Sequence, residues 1–146
     1  MEINDDETTI IISGPNAGGK TVSLKTLGLS ALMSQSGIQV PCSFDSKLPI
    51  FSDFFVHIGD EQDLDKSESS FSSHISNIIS TIKNCDKKSL ILIDEIVSST
   101  DPDEGLALAC AITNYLNNKK CKTVITTHIK GLVEYGNRQV WSKNYS

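Results

Sequence analysis

The sequence predicts a three-layer α/β fold, in which a mostly parallel sheet lies between helices on both of its faces. Short, continuous runs of aliphatic and β-branched residues alternate along the chain with longer segments of helical periodicity. Continuous apolar runs indicate strands buried on both faces, as in a parallel sheet. Ligands bind such sheets beyond the carboxyl ends of the strands. Three polar segments follow predicted strands and would share that edge: residues 13–21, 94–95 and 127–128.

The first half of the chain predicts a strand, a loop and a helix, followed by an irregular segment. Residues 8–12 form the first buried strand, residues 13–19 a glycine-containing loop, and residues 20–36 a helix that Gly37 would end. Four apolar residues of that helix lie near one face: Leu24, Leu27, Ala31 and Leu32. Residues 38–69 lack a regular pattern, and we expect one or two short strands and a loop there.

The second half predicts three helices and two or three strands. An amphipathic helix is indicated by five apolar residues in one stripe: Phe71, Ile75, Ile78, Ile79 and Ile82. A buried strand follows at residues 89–93. Asp101 and Pro102 then have the residue types of an N-cap and a first helical position. Residues 123–126 predict a strand, followed by a short helix and a last strand at 139–141.

Composition limits the classes of function. The 146 residues fit one domain, and a net charge of −5 argues against a strongly basic DNA-binding face in this chain. The four cysteines form no C-x-x-C pair, which favours reduced thiols over a zinc or redox site. The sequence shows neither a membrane span nor a signal peptide. We therefore expect a cytoplasmic protein.

The loop after the first predicted strand has the pattern G-x4-G-K-[ST] in a strand–loop–helix context, which is typical of P-loop nucleoside triphosphatases. Its backbone N–H groups and the start of the next helix would bind phosphate. Lys20 would reach the β- and γ-phosphates, and Thr21 would bind Mg²⁺. The alternative is a plain glycine turn with an exposed lysine. The predicted phosphate-binding residues are Gly14, Pro15, Asn16, Ala17, Gly18, Gly19, Lys20 and Thr21.

Polar residues at two other strand ends complete a predicted hydrolytic site. Asp94 would hold Mg²⁺, and Glu95 would orient and deprotonate the attacking water. His128 could donate a hydrogen bond to the γ-phosphate. The alternatives are that the two acids only cap a strand in solvent, and that His128 is a satisfied core histidine.

A serine-rich segment ahead of the isoleucine helix is a further candidate for phosphate contact. Many P-loop enzymes use an arginine finger, but the only arginine here is Arg138. Hydroxyls and free N–H groups at a helix start could serve instead, and the candidates are Ser69, Ser70 and Ser72. An ordinary serine N-cap is the alternative.

Taken in order, these motifs resemble the ATPase domain of the MutS family over residues 9 to 135. They are G-P-N-A-G-G-K-T at 14–21, G-D-E-Q at 59–62, S-S-F-S-S-H at 69–74, D-E at 94–95, T-D-P at 100–102 and T-T-H at 126–128. Residues 60–62 and 100–105 favour the type-two branch, which is associated with suppressing recombination.

The resemblance implies an ABC-type ATPase with ATP and Mg²⁺ as ligands, acting in DNA repair or recombination control. It implies a head-to-tail homodimer, in which the loop of one subunit meets residues 69–73 of the other. DNA would be bound through regions of the parent protein beyond this chain, which looks like one truncated domain. Val97 and Ser99 stand where the family usually has glycines, and Ile129 where it has an aromatic residue. We therefore expect an altered loop at the dimer contact.

Three other functions remain open from the residues. An ABC transporter nucleotide domain shares the loop, but no L-S-G-G-Q-like segment precedes the strand at residue 89. Small-molecule kinases share the loop but rarely need a glutamate directly after the magnesium aspartate. A non-catalytic fragment that only binds nucleotide or mediates dimer contacts is the third.

Overall fold

Strands and helices alternate strictly along the chain. The computed structural model describes residues 6–15, 18–59, 67–97 and 101–146, with side chains from residue 71 onward in the third range. The elements are β1 (Thr9–Ser13), α1 (Lys20–Gln35), β2 (Asp53–His57), α2 (Ser67–Asn84), β3 (Ser89–Ile93), α3 (Pro102–Asn118), β4 (Lys122–Thr127), α4 (Lys130–Asn137) and β5 (Ser142–Tyr145). Among these residues, no helix is long and apolar enough to cross a membrane.

The five strands form one sheet in the order β2-β3-β4-β1-β5, and each pair of neighbours is parallel. Strand β4 therefore lies between β1 and β3. Ser13 is opposite Thr127, and Ile93 is opposite Ile125. Because parallel strands end at the same edge, the segments that follow β1, β3 and β4 meet there, as predicted.

Helices cover both faces of the sheet, so the predicted α/β arrangement is confirmed. Alternate strand residues face opposite sides, which separates two buried clusters. The cluster shared with α2, α3 and α4 includes Ile11, Ile91, Ile93, Ile125, Ile78, Ile112, Leu116 and Leu132. The cluster shared with α1 includes Ile10, Ile12, Leu90, Leu92, Val124, Leu24 and Ala31.

Helix α1 packs more closely on the sheet than its apolar residues predict. A Cβ at Gly28 would lie 2.4 Å from Cδ1 of Leu92, so a larger residue here would force the Leu92 side chain to move. The buried stripe therefore runs through Leu24, Gly28 and Ala31. The prediction that Leu32 belongs to that face is wrong, because Leu32 is 45% exposed. The predicted helix end is confirmed by the hydrogen bond from Ile38 N–H to the Met33 carbonyl, 2.9 Å long, around Gly37.

Two other predicted details differ from the structure. The apolar spacing places Ile79 in the buried stripe of α2, but Ile79 is 45% exposed, whereas Thr81 is buried at 4%. The last strand is Ser142–Tyr145 rather than residues 139–141. A turn precedes this strand: Arg138 N–H donates to the Tyr135 carbonyl, and Gln139 N–H donates to the Gly136 carbonyl. Strand pairing with β1 therefore begins only after this turn.

The irregular segment contains one strand within its described part. β2 pairs with β3 at the edge of the sheet, with His57 opposite Ile93. Gln35 at the end of α1 anchors the approach to β2, since its amide exchanges two hydrogen bonds with the backbone of Phe51 at 2.8 and 2.9 Å. Residues 60–62, which belong to the motifs that carry the family resemblance, lie outside the described residues.

Candidate functional site

The loop between β1 and α1 is curled rather than extended. Gly14 and Gly19 have φ values of 145° and 79°, a region that side chains other than glycine rarely adopt. Gly18 N–H donates to the Pro15 carbonyl at 2.9 Å, which closes a turn inside the loop. The backbone thus bends around the start of α1, as a phosphate-binding loop requires. Asn16 and Ala17, predicted to line the same loop, lie outside the described residues.

Lys20 is held inside this loop. The residue is only 4% exposed, and its Nζ donates to the Gly14 carbonyl at 2.8 Å. A plain glycine turn with an exposed lysine is therefore wrong. The ammonium group and the positive end of α1 face the same loop, so the site favours an anion.

Asp94 connects the loop to the end of β3. The Thr21 hydroxyl donates to Asp94 Oδ2 at 2.7 Å across a sequence separation of 73 residues. The Thr126 hydroxyl, at the end of β4, donates to Asp94 Oδ1 at 2.5 Å. Side chains from α1, β3 and β4 thus form one continuous hydrogen-bonded chain at the sheet edge.

Strand alternation explains why these three side chains meet. Leu92 and Val124 point toward α1, so Asp94 and Thr126, two residues further on, point the same way. Thr21 lies in the first turn of α1, on that same side of the sheet, and contacts Asp94 from there. The carboxylate and the Thr21 hydroxyl are hard oxygen donors, which suit Mg²⁺ with water and phosphate as further ligands. The described residues contain no group of three or more His, Cys, Asp and Glu that could hold a metal by itself.

Glu95 and His128 face each other beside the hydrogen-bonded side chains of Thr21, Asp94 and Thr126. Their Oε2 and Nδ1 atoms are 3.9 Å apart, and the side chains are 19% and 52% exposed. His128 is too exposed to be a satisfied core histidine, so that alternative is wrong. Glu95 has φ 48°, and its N–H donates to the Thr126 hydroxyl at 2.8 Å. The two acids are therefore held within the site and do not merely end a strand in solvent.

An open groove adjoins the loop on the His128 side. Its volume is about 560 Å³, and it is lined by Ser13, Gly14, Pro15, His128, Lys130, Val133 and Glu134. The last three belong to α4 and were missed by the sequence analysis. Their only signal was helical spacing directly after a predicted site residue.

The serine-rich segment lies within α2 rather than ahead of it. The helix begins at Ser67, so residues 69–73 occupy its first two turns. Ser72 is exposed, and the side chains of Ser69 and Ser70 lie outside the described residues. Phosphate contact by these three serines stays a prediction.

The turn after Glu95 adopts an uncommon backbone conformation. Val97 has φ 57°, which is rare for a β-branched residue, and its side chain is 3% exposed. Valine here therefore adopts the left-handed conformation that was expected to favour glycine. Residues 98–100, including Ser99, lie outside the described part of the chain.

A second polar cluster joins β2 to α2. His57 Nε2 is 2.8 Å from the Thr81 hydroxyl, and the ring centroids of His57 and His74 are 6.2 Å apart. Burial, and to a smaller extent the neighbouring His74, lowers the pKa of His57. Neither histidine is a predicted catalytic residue, and these contacts join β2 to α2.

The structure shows a parallel α/β domain in which a glycine-containing loop with a buried lysine lies beside the carboxylate of Asp94. Comparison with known proteins identifies its family. A family model described as MutS domain V matches residues 10–146. The chain therefore belongs to the MutS family, and its relatives assign it to the type-two branch. The predicted resemblance is confirmed.

Relatives named Endonuclease MutS2 match nearly the whole chain. The protein of Listeria monocytogenes serotype 4a is 50% identical over 144 residues, or 99% of this chain. Those of Fusobacterium nucleatum and Caldanaerobacter subterraneus are 50% and 49% identical over 136 and 135 residues, or 93% and 92% of this chain. The chain spans 17–18% of the length of these three relatives.

Proposed function

We propose that this chain is a P-loop, ABC-type ATPase domain that binds Mg²⁺-ATP and hydrolyses it to ADP and phosphate. The observation that carries the proposal is the 2.7 Å hydrogen bond between Thr21 and Asp94. It joins the phosphate-loop pattern to the acidic strand end, as a shared Mg²⁺ site requires. Membership of the MutS family supports the same function.

Each residue has a distinct part in the proposed reaction. The Lys20 ammonium would give up its hydrogen bond to the Gly14 carbonyl and donate instead to β- and γ-phosphate oxygens. Mg²⁺, held by Thr21 and Asp94, would neutralise charge on the phosphates. Glu95 would accept the proton of the water that attacks the γ-phosphorus, while the bond to the bridging oxygen of ADP breaks. His128, beside Glu95, would donate to the γ-phosphate and respond to its loss.

We further propose that the domain is the ATP-driven switch of a longer, DNA-binding MutS-like protein acting in recombination control or DNA repair. Its net charge of −5 is consistent with DNA contacts made by other regions of the parent protein. A homodimer would close the site, with Ser69, Ser70 and Ser72 of one subunit facing the phosphate loop of the other. The exposed position of Ser72 on α2 supports such a contact.

Calorimetric titration with Mg²⁺-ATP tests the binding site. Lys20→Ala should weaken binding by about 1.5–3 kcal/mol, or about 10- to 150-fold, because a charge-assisted phosphate contact is lost. Lys25→Ala is the matched control, since Lys25 is exposed on the same helix and should bind normally. Equal affinity of the Lys20 variant and the wild type would refute the phosphate site.

Phosphate release separates hydrolysis from the alternative of a non-catalytic nucleotide-binding or dimerisation fragment. Glu95→Gln should keep Mg²⁺-ATP binding and abolish turnover, because the amide cannot accept the proton of water. A turnover number that rises with protein concentration would support a site completed by a second subunit. Binding without phosphate release by the wild-type chain at any concentration would favour the non-catalytic alternative.

A further inference from the structure

We infer that Thr126 is a positioning residue for both acids of the hydrolytic site, acting through Asp94 and Glu95. The inference rests on the proposed function, which assigns Mg²⁺ binding to Asp94 and water activation to Glu95. In the sequence Thr126 is only part of the T-T-H motif at 126–128, whereas its contacts in the structure indicate a role of its own.

The Thr126 hydroxyl holds the two acids at once. It donates to Asp94 Oδ1 at 2.5 Å and accepts from the Glu95 N–H at 2.8 Å. The direction of both bonds is determined, because an ionised carboxylate can only accept and an amide N–H can only donate. Thr126 has no exposed surface, so water cannot replace the hydroxyl without rearrangement.

The backbone of Thr126 stabilises the same turn. Its carbonyl accepts from Ile96 N–H at 3.3 Å, directly after the bond to Glu95. Glu95 and Val97 both have positive φ, at 48° and 57°, which is uncommon outside glycine. Such a conformation persists only where its surroundings enforce it. Thr126 supplies hydrogen-bond partners for two consecutive N–H groups of this turn.

The two oxygens of Asp94 are held from opposite sides. Oδ2 accepts from Thr21 at 2.7 Å, and Oδ1 accepts from Thr126 at 2.5 Å. In the proposed function the Thr21 hydroxyl would become a ligand of Mg²⁺. Of these two hydroxyls, that of Thr126 would then still orient the Asp94 carboxylate. Partners that orient metal ligands typically change metal affinity or activity by about 10- to 100-fold when they are removed.

The next threonine has a different role. Thr127 is also buried, but its hydroxyl accepts from Ile129 N–H at 3.0 Å, at the start of α4. Strand alternation turns its side chain toward the opposite face of the sheet. The positioning role therefore belongs to Thr126 and is not shared by every hydroxyl at this strand end.

The test compares Thr126→Val, which keeps the branched shape without the hydroxyl, with Thr126→Ser, which restores the hydroxyl. Thr113→Val is the control, because Thr113 is equally buried and donates only to the Ala109 carbonyl within α3. Three quantities are measured for each: ATP affinity in EDTA, the Mg²⁺ concentration for half-maximal ATP binding, and kcat with KM for ATP. Thr126→Ala serves as a second variant if the valine variant does not fold.

For Thr126→Val we expect kcat to fall and the half-maximal Mg²⁺ concentration to rise, each by about 10- to 100-fold. ATP affinity in EDTA should stay within about 2-fold, since it depends on Lys20 and the loop. Thr126→Ser should recover most of the loss, and Thr113→Val should match the wild type in all three quantities.

Wild-type kcat and Mg²⁺ dependence in Thr126→Val, or in Thr126→Ala if the valine variant does not fold, would overturn the inference while leaving the proposed function intact. A serine variant as impaired as the valine variant would also overturn it, because the hydroxyl would then not be the cause. Absence of ATP binding by the wild-type chain would instead overturn the proposed function, and this inference with it.

Discussion

Lys119 connects the ends of two helices that lie on the same face of the sheet. It is the C-cap residue of α3, and its Nζ donates to the carbonyls of Ile82 and Cys85 at 2.6 and 3.2 Å. Ile82 lies in the last turn of α2 and Cys85 directly follows the helix, where backbone acceptors lack partners within the helix. Replacing Lys119 with Met removes the ammonium group and preserves most of the apolar stem.

The expected loss of stability follows from these contacts. A hydrogen bond from a charged donor contributes about 1.5–3 kcal/mol, and a cation at a helix C-terminus adds about 0.3–1 kcal/mol. Lys119 is partly exposed, so solvent weakens both effects. We therefore expect Lys119→Met to lower the free energy of unfolding by about 2 kcal/mol. For a chain of this length that corresponds to a decrease in Tm of about 4–8 °C.

Urea denaturation followed by far-UV circular dichroism measures this change, with an unchanged m-value as the sign that only stability has shifted. Lys120→Met is the matched control, because Lys120 is the next residue and is exposed. The reasoning would be refuted if the two variants differed by less than about 0.5 kcal/mol, the usual scatter for surface substitutions. The first two turns of α2 contain the predicted phosphate-contacting serines, so this measurement also tests how firmly that helix is anchored.

Two further predictions concern pH and backbone conformation. Burial, and secondarily His74, lowers the pKa of His57, so the unfolded chain binds more protons than the folded chain below about pH 6.5. The free energy of unfolding should therefore fall on acidification from pH 7.5 to 5.5. Urea denaturation at several pH values should show a weaker pH dependence for His57→Gln. The same pH dependence in that variant and the wild type would contradict the lowered pKa of His57. Lys120 has φ 59° directly after the C-cap of α3, so Lys120→Gly should raise the free energy of unfolding by about 0.5–1 kcal/mol. A decrease in thermal denaturation midpoint for that variant would show that the conformation carries no strain.

Local sequence patterns predicted the elements that depend on neighbouring residues. Asp101 caps α3 by accepting from the N–H groups of Asp103 and Glu104 at 3.0 and 3.4 Å, as its residue type indicates. The phosphate-loop pattern and the buried strand before Asp94 were also predictable from the sequence, because each is defined by a few adjacent residues.

Predictions failed where packing between distant segments decided the outcome. Leu32 and Ile79 fit helical stripes by spacing, yet both are 45% exposed. In α1 the buried face runs through Leu24, Gly28 and Ala31, which leaves Leu32 partly in solvent. The position of β5 depended on turn hydrogen bonds after α4 and on pairing with β1, neither of which an apolar run at 139–141 reveals.

The sequence by itself determined that this chain has a phosphate-loop pattern, an acidic strand end and a parallel α/β architecture, because each follows from residues close together along the chain. It also determined the MutS family, through the order of those motifs. Only the tertiary structure decided that β4 lies between β1 and β3, so that Thr126 reaches both acids while Thr21 reaches Asp94 from α1. Strand order and register arise from contacts between residues far apart in the chain. The hydrogen bond between Thr21 and Asp94 can form only once those contacts have formed.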